Sequence, residues 1–457
     1  MQKRLGPLPI GVVMLAVGCS RSPKPAPFST GVVGLGANTD RPGVAAGLLA
    51  DASAGDALAA AVPRLRTEPV FSSPIAATRA GPLAVVAGLV VGKGIVRVMA
   101  MRDGHWIWAK DVVHGAQWAP DAELTLDGAG AGIVLVWRAG RAEKRPGTLF
   151  VLGPDGEIHG APEDVGSAVC ATEAGLAWVG PAHAGSMPIR TRAWAERSGR
   201  DALTIPAGRS PALVCGTRVV FVMGDGDDDV TVSALTPGTP SPDSPAVAIR
   251  ESDFSDEEQE HEAYSVDDDL RVLRVGSSGT IAVRNLRPSG TLAPWHLVKR
   301  RLSSDDDVVA VDGDRAGTII VFTRESEVDC APSDGAAVRV QGLRVDETGD
   351  SETRIDLAPA DCARIPGPIW IAQPSSAPPL VAWVERGPRS PSNGAPIHGL
   401  VYRDLDARGV RAGRVDLHAD ALVQAGCSDE GCLAAALERA SDGDEARPMP
   451  ISLVPYP

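Results

Sequence analysis

The chain has 457 residues, with 44 basic side chains against 58 acidic ones and a formal net charge of −14. A field that acidic repels phosphate backbones and excludes nucleic acid as the main partner. Hydrophobic residues make up 44% of the chain, enough for a core, which excludes wholesale disorder.

The first element in chain order is an address. Lys3 and Arg4 form a basic start, and residues 5–17 (LGPLPIGVVMLAV) form an apolar stretch that is short and interrupted by prolines, the pattern of a signal peptide rather than a spanning helix. It ends at Leu15-Ala16-Val17-Gly18-Cys19, which resembles the lipobox of bacterial lipoproteins. The resemblance implies cleavage after residue 18 and lipidation of Cys19, with Ala16 standing where the family more often has Leu. Ser20, rather than Asp, follows the cysteine, which in that family implies transfer to the outer membrane. Several acyl chains, each methylene contributing about 0.8 kcal/mol on burial, hold a protein to a membrane where one chain does not.

Residues 19–62 read as a tether. SRSPKPAPFSTG is Pro-rich and extended, and VAAGLLADASAGDALAAA is of low complexity and without basic residues.

From residue 63 to 457 the pattern is of short β-rich runs separated by Gly, Asp, Pro and Ser. Apolar segments read as second strands are marked by Val86, Trp137, Trp178, Val222, Val272, Phe322, Trp383 and Ala436, in steps of 41 to 61 residues. Glycines assigned to tight turns (Gly104, Gly156, Gly199, Gly238, Gly290, Gly349 and Gly409) step by 39 to 60 residues and keep the same phase. Two features with one period, and four short strands in each period, predict an all-β fold of the β-propeller type. The count gives eight blades of four antiparallel strands, and the irregular spacing also admits seven. The in-phase rings of Trp137, Trp178, Phe322 and Trp383 are assigned to the spaces between sheets, since one blade cannot bury both of its faces alone. The last period ends at ISLVPYP (451–457) after a third strand, so RLRTEPVF (64–71) is expected to supply the fourth and close the ring.

Setting Cys19 aside leaves six cysteines, an even number suited to disulfides in an oxidising compartment. Cys170 and Cys215 occupy matching places on innermost strands and are expected to pair. Cys427 and Cys432 flank one hairpin turn, and Cys330 with Cys362 makes the third pair.

Chemistry-bearing motifs are few. Eight histidines fall singly, and no G-x-S-x-G or S-x-x-K occurs. Gly224-Asp225-Gly226-Asp227-Asp228-Asp229 resembles the calcium loops of integrin-type FG-GAP repeats, which makes Asp225, Asp227 and Asp229 the candidate Ca²⁺ ligands, although Phe221 and Met223 stand where that family has further oxygen donors. No other cofactor is expected. Asp267–Asp269 and Asp305–Asp307 read as solvated turns, and ESDFSDEEQEHE (251–262) as an exposed loop.

IVRVMAMRDGHWIWAKDVV (95–113) resembles a repeat of the PQQ-type propellers, a strand and a turn followed by a Trp, in a family that includes eight-bladed, lipid-anchored, non-enzymatic scaffolds. The resulting expectation is an outer-membrane lipoprotein, periplasmic or surface-facing, whose propeller binds an envelope protein or glycan. Binding is assigned to a face carrying the loops 180–189, 251–262, 323–336, 385–396 and 438–448. The alternative is a polysaccharide-active hydrolase or lyase with carboxylates converging in the central channel.

Overall fold

The structure is a computed structural model. It describes residues 65–66 and 71–456 apart from short loop stretches, the longest being 251–258, 331–336, 373–378, 390–395, 405–411 and 438–450; beyond Arg403 it describes the backbone alone. The signal and tether segments, residues 1–62, therefore lie outside the described residues.

The described residues are strands and turns, with no helix among them. Strand β1 is Leu65–Arg66. Sheet 1 follows, formed by β2 (Phe71–Ala80), β3 (Leu83–Val90), β4 (Ile95–Arg102) and β5 (His105–His114). Sheet 2 holds β6 (Glu123–Ala129), β7 (Gly132–Arg138), β8 (Gly147–Leu152) and β9 (Glu163–Val165). Sheet 3 holds β10 (Val169–Ala171), β11 (Gly175–Val179), β12 (Ser186–Ala193) and β13 (Arg200–Pro206). Sheet 4 holds β14 (Ala212–Cys215), β15 (Val220–Asp225), β16 (Asp229–Leu235) and β17 (Val247–Arg250). Sheet 5 holds β18 (Gln259–Val266), β19 (Asp269–Gly276), β20 (Thr280–Leu286) and β21 (His296–Arg301). Sheet 6 holds β22 (Asp306–Asp314), β23 (Gly317–Glu325), β24 (Val338–Val345) and β25 (Glu352–Ala358). Sheet 7 holds β26 (Ile365–Ala372), β27 (Leu380–Arg389), β28 (Pro396–Asp404) and β29 (Ala412–Leu417). Sheet 8 joins β30 (Ala421–Ser428), β31 (Gly431–Leu437) and β32 (Ile451–Tyr456) to β1 at its outer edge, with Leu65 opposite Leu453 and Arg66 opposite Ser452. Phe71, grouped with the closing segment in the sequence reading, instead begins β2.

Every sheet is an antiparallel meander. The first strand of each lies against the first strand of the next, and β30 lies against β2.

The second strands explain why the sheets stack. β3, β7 and β11 are buried at every position, so side chains on both faces are covered. In β7 the alternation splits the residues between two cores: Ile133, Leu135 and Trp137 pack with sheet 1, and Val134 and Val136 pack with sheet 3. The same division recurs in β11, where Leu176 and Trp178 face sheet 2 and Ala177 and Val179 face sheet 4. In β23, Ile320 and Phe322 face sheet 5, whereas Ile319 and Val321 face sheet 7. The apolar cores thus lie between sheets, and the four marker rings, Trp137, Trp178, Phe322 and Trp383, all sit in them.

Glycine serves two purposes in the outer turns. Gly156, Gly238 and Gly290 have φ of +82°, +88° and +81°, the left-handed conformation assigned to them. Gly199 does not. A Cβ there would overlap the six-membered ring of Trp178, so this glycine is a clearance site and not a conformational one. Trp178 is fully buried, donates from Nε1 to the Asp164 carbonyl at 3.2 Å and lies 5.2 Å under the Arg190 guanidinium.

Cys170 on β10 and Cys215 on β14 form a disulfide with a Cα separation of 5.8 Å, joining the first strands of sheets 3 and 4. Both residues are buried within the core that those sheets share.

Trp178→Ala removes the largest side chain of the sheet 2–sheet 3 core, and the expected loss is about 3–5 kcal/mol. Urea unfolding checks it, and a loss below about 1 kcal/mol would contradict inter-sheet packing as the stabilising contact.

Candidate functional site

Antiparallel order divides the loops between two ends of the sheets. One end carries the turns between first and second strands and between third and fourth. The other carries the loops between second and third strands and the connections from each sheet to the next.

At the first end, the turns after the first strands are bonded to one another. Asp127 Oδ2 accepts from the Ala171 amide at 2.9 Å, the Glu173 amide donates to the Thr217 carbonyl at 2.8 Å, and the Thr217 amide donates to the Asp267 carbonyl at 2.7 Å. Arg315 Nε then donates to Asp267 Oδ2 at 2.8 Å, so the series runs through sheets 2 to 6. Asp268 Oδ1 accepts from the amides of Arg218 at 2.6 Å and Val219 at 3.2 Å. The cluster Asp267–Asp269 is thus an exposed turn, as assigned, that also connects sheets. The Asp268 carboxylate meets two backbone donors, while Asp267 reaches Arg315 with its side chain and Asp269 is exposed.

The second end has fastenings of its own. Arg138, at the end of β7, donates from Nη2 to the carbonyls of Gly166 at 3.2 Å and Ser167 at 2.6 Å, which holds the connection from sheet 2 to sheet 3. Asp306 opens β22 directly opposite Arg324 on β23, and the two form a two-pronged pair at 2.6 and 2.7 Å. The Asp306 side chain is 2% exposed, which overturns its assignment to a solvated turn. Burial alone would raise its carboxyl pKa, but the Arg324 fork and the Ser303 amide outweigh that and hold it below the ordinary aspartate value. Farther along, the loop between β23 and β24 closes with the Ser326 amide donating to the Ala337 carbonyl at 2.8 Å. Cys330 within that loop is bonded to Cys362 in the connection from sheet 6 to sheet 7, with a Cα separation of 5.3 Å. Where described, these loops are shorter than their sequence outlines: Ser186, Gln259, Glu325, Arg389 and Pro396 all belong to strands.

Between the sheets lie buried polar joints. Tyr264 on β18 and Thr318 on β23 share a hydroxyl–hydroxyl hydrogen bond of 2.6 Å, and burial pushes the Tyr264 pKa up to about 12. Beside them, Arg271, Asn285, His296, Thr318 and Asp346 line a small cleft between sheets 5 and 6, with room for about one water molecule. Arg192 is fully buried in sheet 3 and donates to the carbonyls of Glu196 at 2.7 Å and His159 at 2.8 Å. These groups join elements together.

Of the sequence-assigned site residues, Cys170–Cys215 and Cys330–Cys362 are brought together. Cys427 stands opposite Cys432 in the β30–β31 register, with side chains outside the described residues. Asp225 ends β15 and Asp229 begins β16, so both flank one hairpin; their side chains and the whole of Asp227 lie outside the described residues. Among the described residues no group of three His, Cys, Asp or Glu side chains is arranged to hold a metal ion. Cys19 lies outside the described residues. Arg138 went unassigned in the sequence reading and the Asp306–Arg324 pair was missed, because opposition across a strand pair is visible only once register is known.

No family model matches the chain, and no curated protein matches it. Solved structures similar to it include the Dos1 propeller, at 10% identity and a TM-score of 0.47, covering 86% of this chain and 94% of that one. The β-propeller domain of the Trilobed protease from Pyrococcus furiosus is similar at 8% identity and a TM-score of 0.42, covering 76% and 97%. A prolyl endopeptidase is similar at 12% identity and a TM-score of 0.46, covering 78% of this chain; the chain spans 59% of that structure's length.

Asp306→Asn is expected to cost about 1–3 kcal/mol at pH 7 by removing charge-assisted bonds from a buried position. Because the folded carboxyl pKa is depressed, the contribution is complete above the unfolded value of about 3.9 and is lost as pH falls through the lower folded value. Thermal unfolding of wild type and variant at pH 7 and at pH 3 checks this: the gap between them should narrow at the lower pH, and a constant gap would contradict it.

Proposed function

We propose that the eight sheets are the blades of one closed propeller, and that the protein is an envelope lipoprotein that works as a non-enzymatic binding or scaffold module. The closure reading is supported by the β1–β32 pairing and by the approach of β30 to β2. The anchor is Cys19, reached through the tether 19–62, and the attachment is to the outer membrane. The partner is an envelope protein or glycan.

The observation that carries this reading is the contrast between the two ends of the sheets. At the first end the turns that follow the first strands of sheets 2 to 6 are hydrogen-bonded to one another, which occupies backbone groups there. At the second end a disulfide fixes a long loop against an inter-sheet connection, and the Arg138 fork holds another connection. Preorganised loops on a rigid frame lose less conformational entropy on binding, which is the physical requirement for a recognition face. Carbonyl-directed arginines, shared hydroxyls and a water-sized cleft are structural joints, in keeping with a scaffold.

Chemical cross-linking and pull-down from intact envelopes tests the proposal, using the full chain, a Cys19→Ala variant and a Cys330→Ser/Cys362→Ser variant. Cys19→Ala is expected to leave the membrane fraction, and the double Ser variant is expected to stay in it while losing a cross-linked partner at least about tenfold. Retention of Cys19→Ala on the membrane would overturn the anchor, and an unchanged partner set in the double variant would overturn the assigned face.

A further inference from the structure

The exposed large apolar side chains among the described residues are Trp106, Ile107 and Leu297, at 39%, 44% and 56% exposure. Two of them are adjacent, at the start of β5, the outer strand of sheet 1.

Their directions follow from a bulge. Ala100 stands opposite Trp108 and Met101 opposite Trp106, so Ile107 is the extra residue. Directly opposed residues share a face of the sheet. Ala100 belongs to the core shared with sheet 2, and Trp108 packs against it while donating from Nε1 to the Pro154 carbonyl at 2.9 Å. Met101, and Trp106 with it, therefore lies on the opposite face, toward sheet 8. Without the bulge both indoles would point at sheet 2. The extra residue re-aims Trp106 and leaves it half covered.

Sheet 8 brings one particular segment to this place. Its outer strand is β1, the counterpart of β5 in sheet 1. Leu65 opposes Leu453 and Arg66 opposes Ser452, so the chain running backward from Leu65 heads toward Tyr456 and the end of the sheet that holds the 429–430 turn. In sheet 1, Trp106 sits at the corresponding end, beside the turn that follows β4. The chain preceding β1 thus leaves its sheet at the rim, at the same end as Trp106 and on the side that Trp106 faces. That chain reads Ala57-Leu58-Ala59-Ala60-Ala61-Val62-Pro63-Arg64, apolar but for its last residue, with Asp56 before it. Eight residues reach up to about 26 Å when extended, more than the roughly 10 Å between packed sheets. Arg102 is exposed and opposite His105.

We propose that residues 57–64 lie across Trp106 and Ile107 and fasten the tether to the rim of sheet 1. The occupant of the patch is this chain's own segment. The free spacer then shortens to residues 20–56, and the ring is held to its anchor from one fixed point of the rim instead of swinging from Leu65. The proposal rests on the ring reading above, because it needs sheet 8 to stand beside sheet 1.

Hydrogen exchange read by mass spectrometry on the full chain with Cys19→Ser tests it. Amides of 57–64 are expected to exchange about tenfold or more slowly than those of 20–50, and Trp106→Ser/Ile107→Ser should abolish the difference while leaving β3 protected. A second variant, Leu58→Asp/Val62→Asp, alters only the tether and should give the same loss in an intact ring. Equal exchange in 57–64 and 20–50 would overturn the proposal, as would protection that survives both variants. Size exclusion covers the rival occupant: a dimer converted to monomer by Trp106→Ser/Ile107→Ser would assign the patch to a second copy and overturn the proposal. Exchange at Leu65–Arg66 and Ile451–Tyr456 separates the two failures, since protection there with free exchange in 57–64 leaves the ring standing and removes only the docked tether.

Discussion

A four-stranded sheet whose central strand carries apolar side chains on both faces cannot be left with either face in water. β7 shows the constraint at its plainest: all seven residues are buried, three turned to one neighbour and two to the other. Each fully buried Val, Leu or Ile contributes roughly 1.5–3 kcal/mol, and half of that burial exists only because another sheet is present. A row of such sheets has two unsatisfied ends. A ring has none, and in the reading developed above β1 completes sheet 8 so that no face is left over.

That demand also accounts for the division of labour between the two ends. Sheets stacked radially bring their first-strand turns close together, and their amides and carbonyls must then find partners among themselves. The Asp127, Thr217 and Asp267 bonds are the result. The loops at the opposite end join second to third strands and each sheet to the next. Cys330–Cys362, Arg138 and the Asp306–Arg324 pair restrict them there. Rigidity at this end comes from specific fastenings.

The second strands were legible in the amino-acid sequence because burial on both faces writes a continuous apolar run, and the eight markers from Val86 to Ala436 all fall in such strands. The pairing Cys170–Cys215 was legible because matching positions in successive periods become neighbours in space, and Cys330–Cys362 because loops between second and third strands share an end with inter-sheet connections. Register was not. Asp306 looked like one of three solvated aspartates until its opposition to Arg324 placed it in a pair, and Asp268 serves amides fifty residues away in sequence. Gly199 was read by its residue type as a turn, whereas its function is set by the Trp178 ring above it. The bulge that separates Trp106 from Trp108 leaves no mark in a pattern of alternating residues. What the sequence withholds in each case is the identity of the neighbour.

The closure of the ring is the claim on which the docking face and the course of the tether depend. A Leu65→Cys/Leu453→Cys variant tests it most directly, because these residues oppose each other across the only contact between the start and the end of the described chain in sheet 8. Oxidation of the purified monomer should give an intramolecular disulfide and a raised thermal midpoint, the expected effect of a cross-link that closes a loop of nearly the whole domain. Two free thiols, or a bond that forms only between molecules, would contradict it.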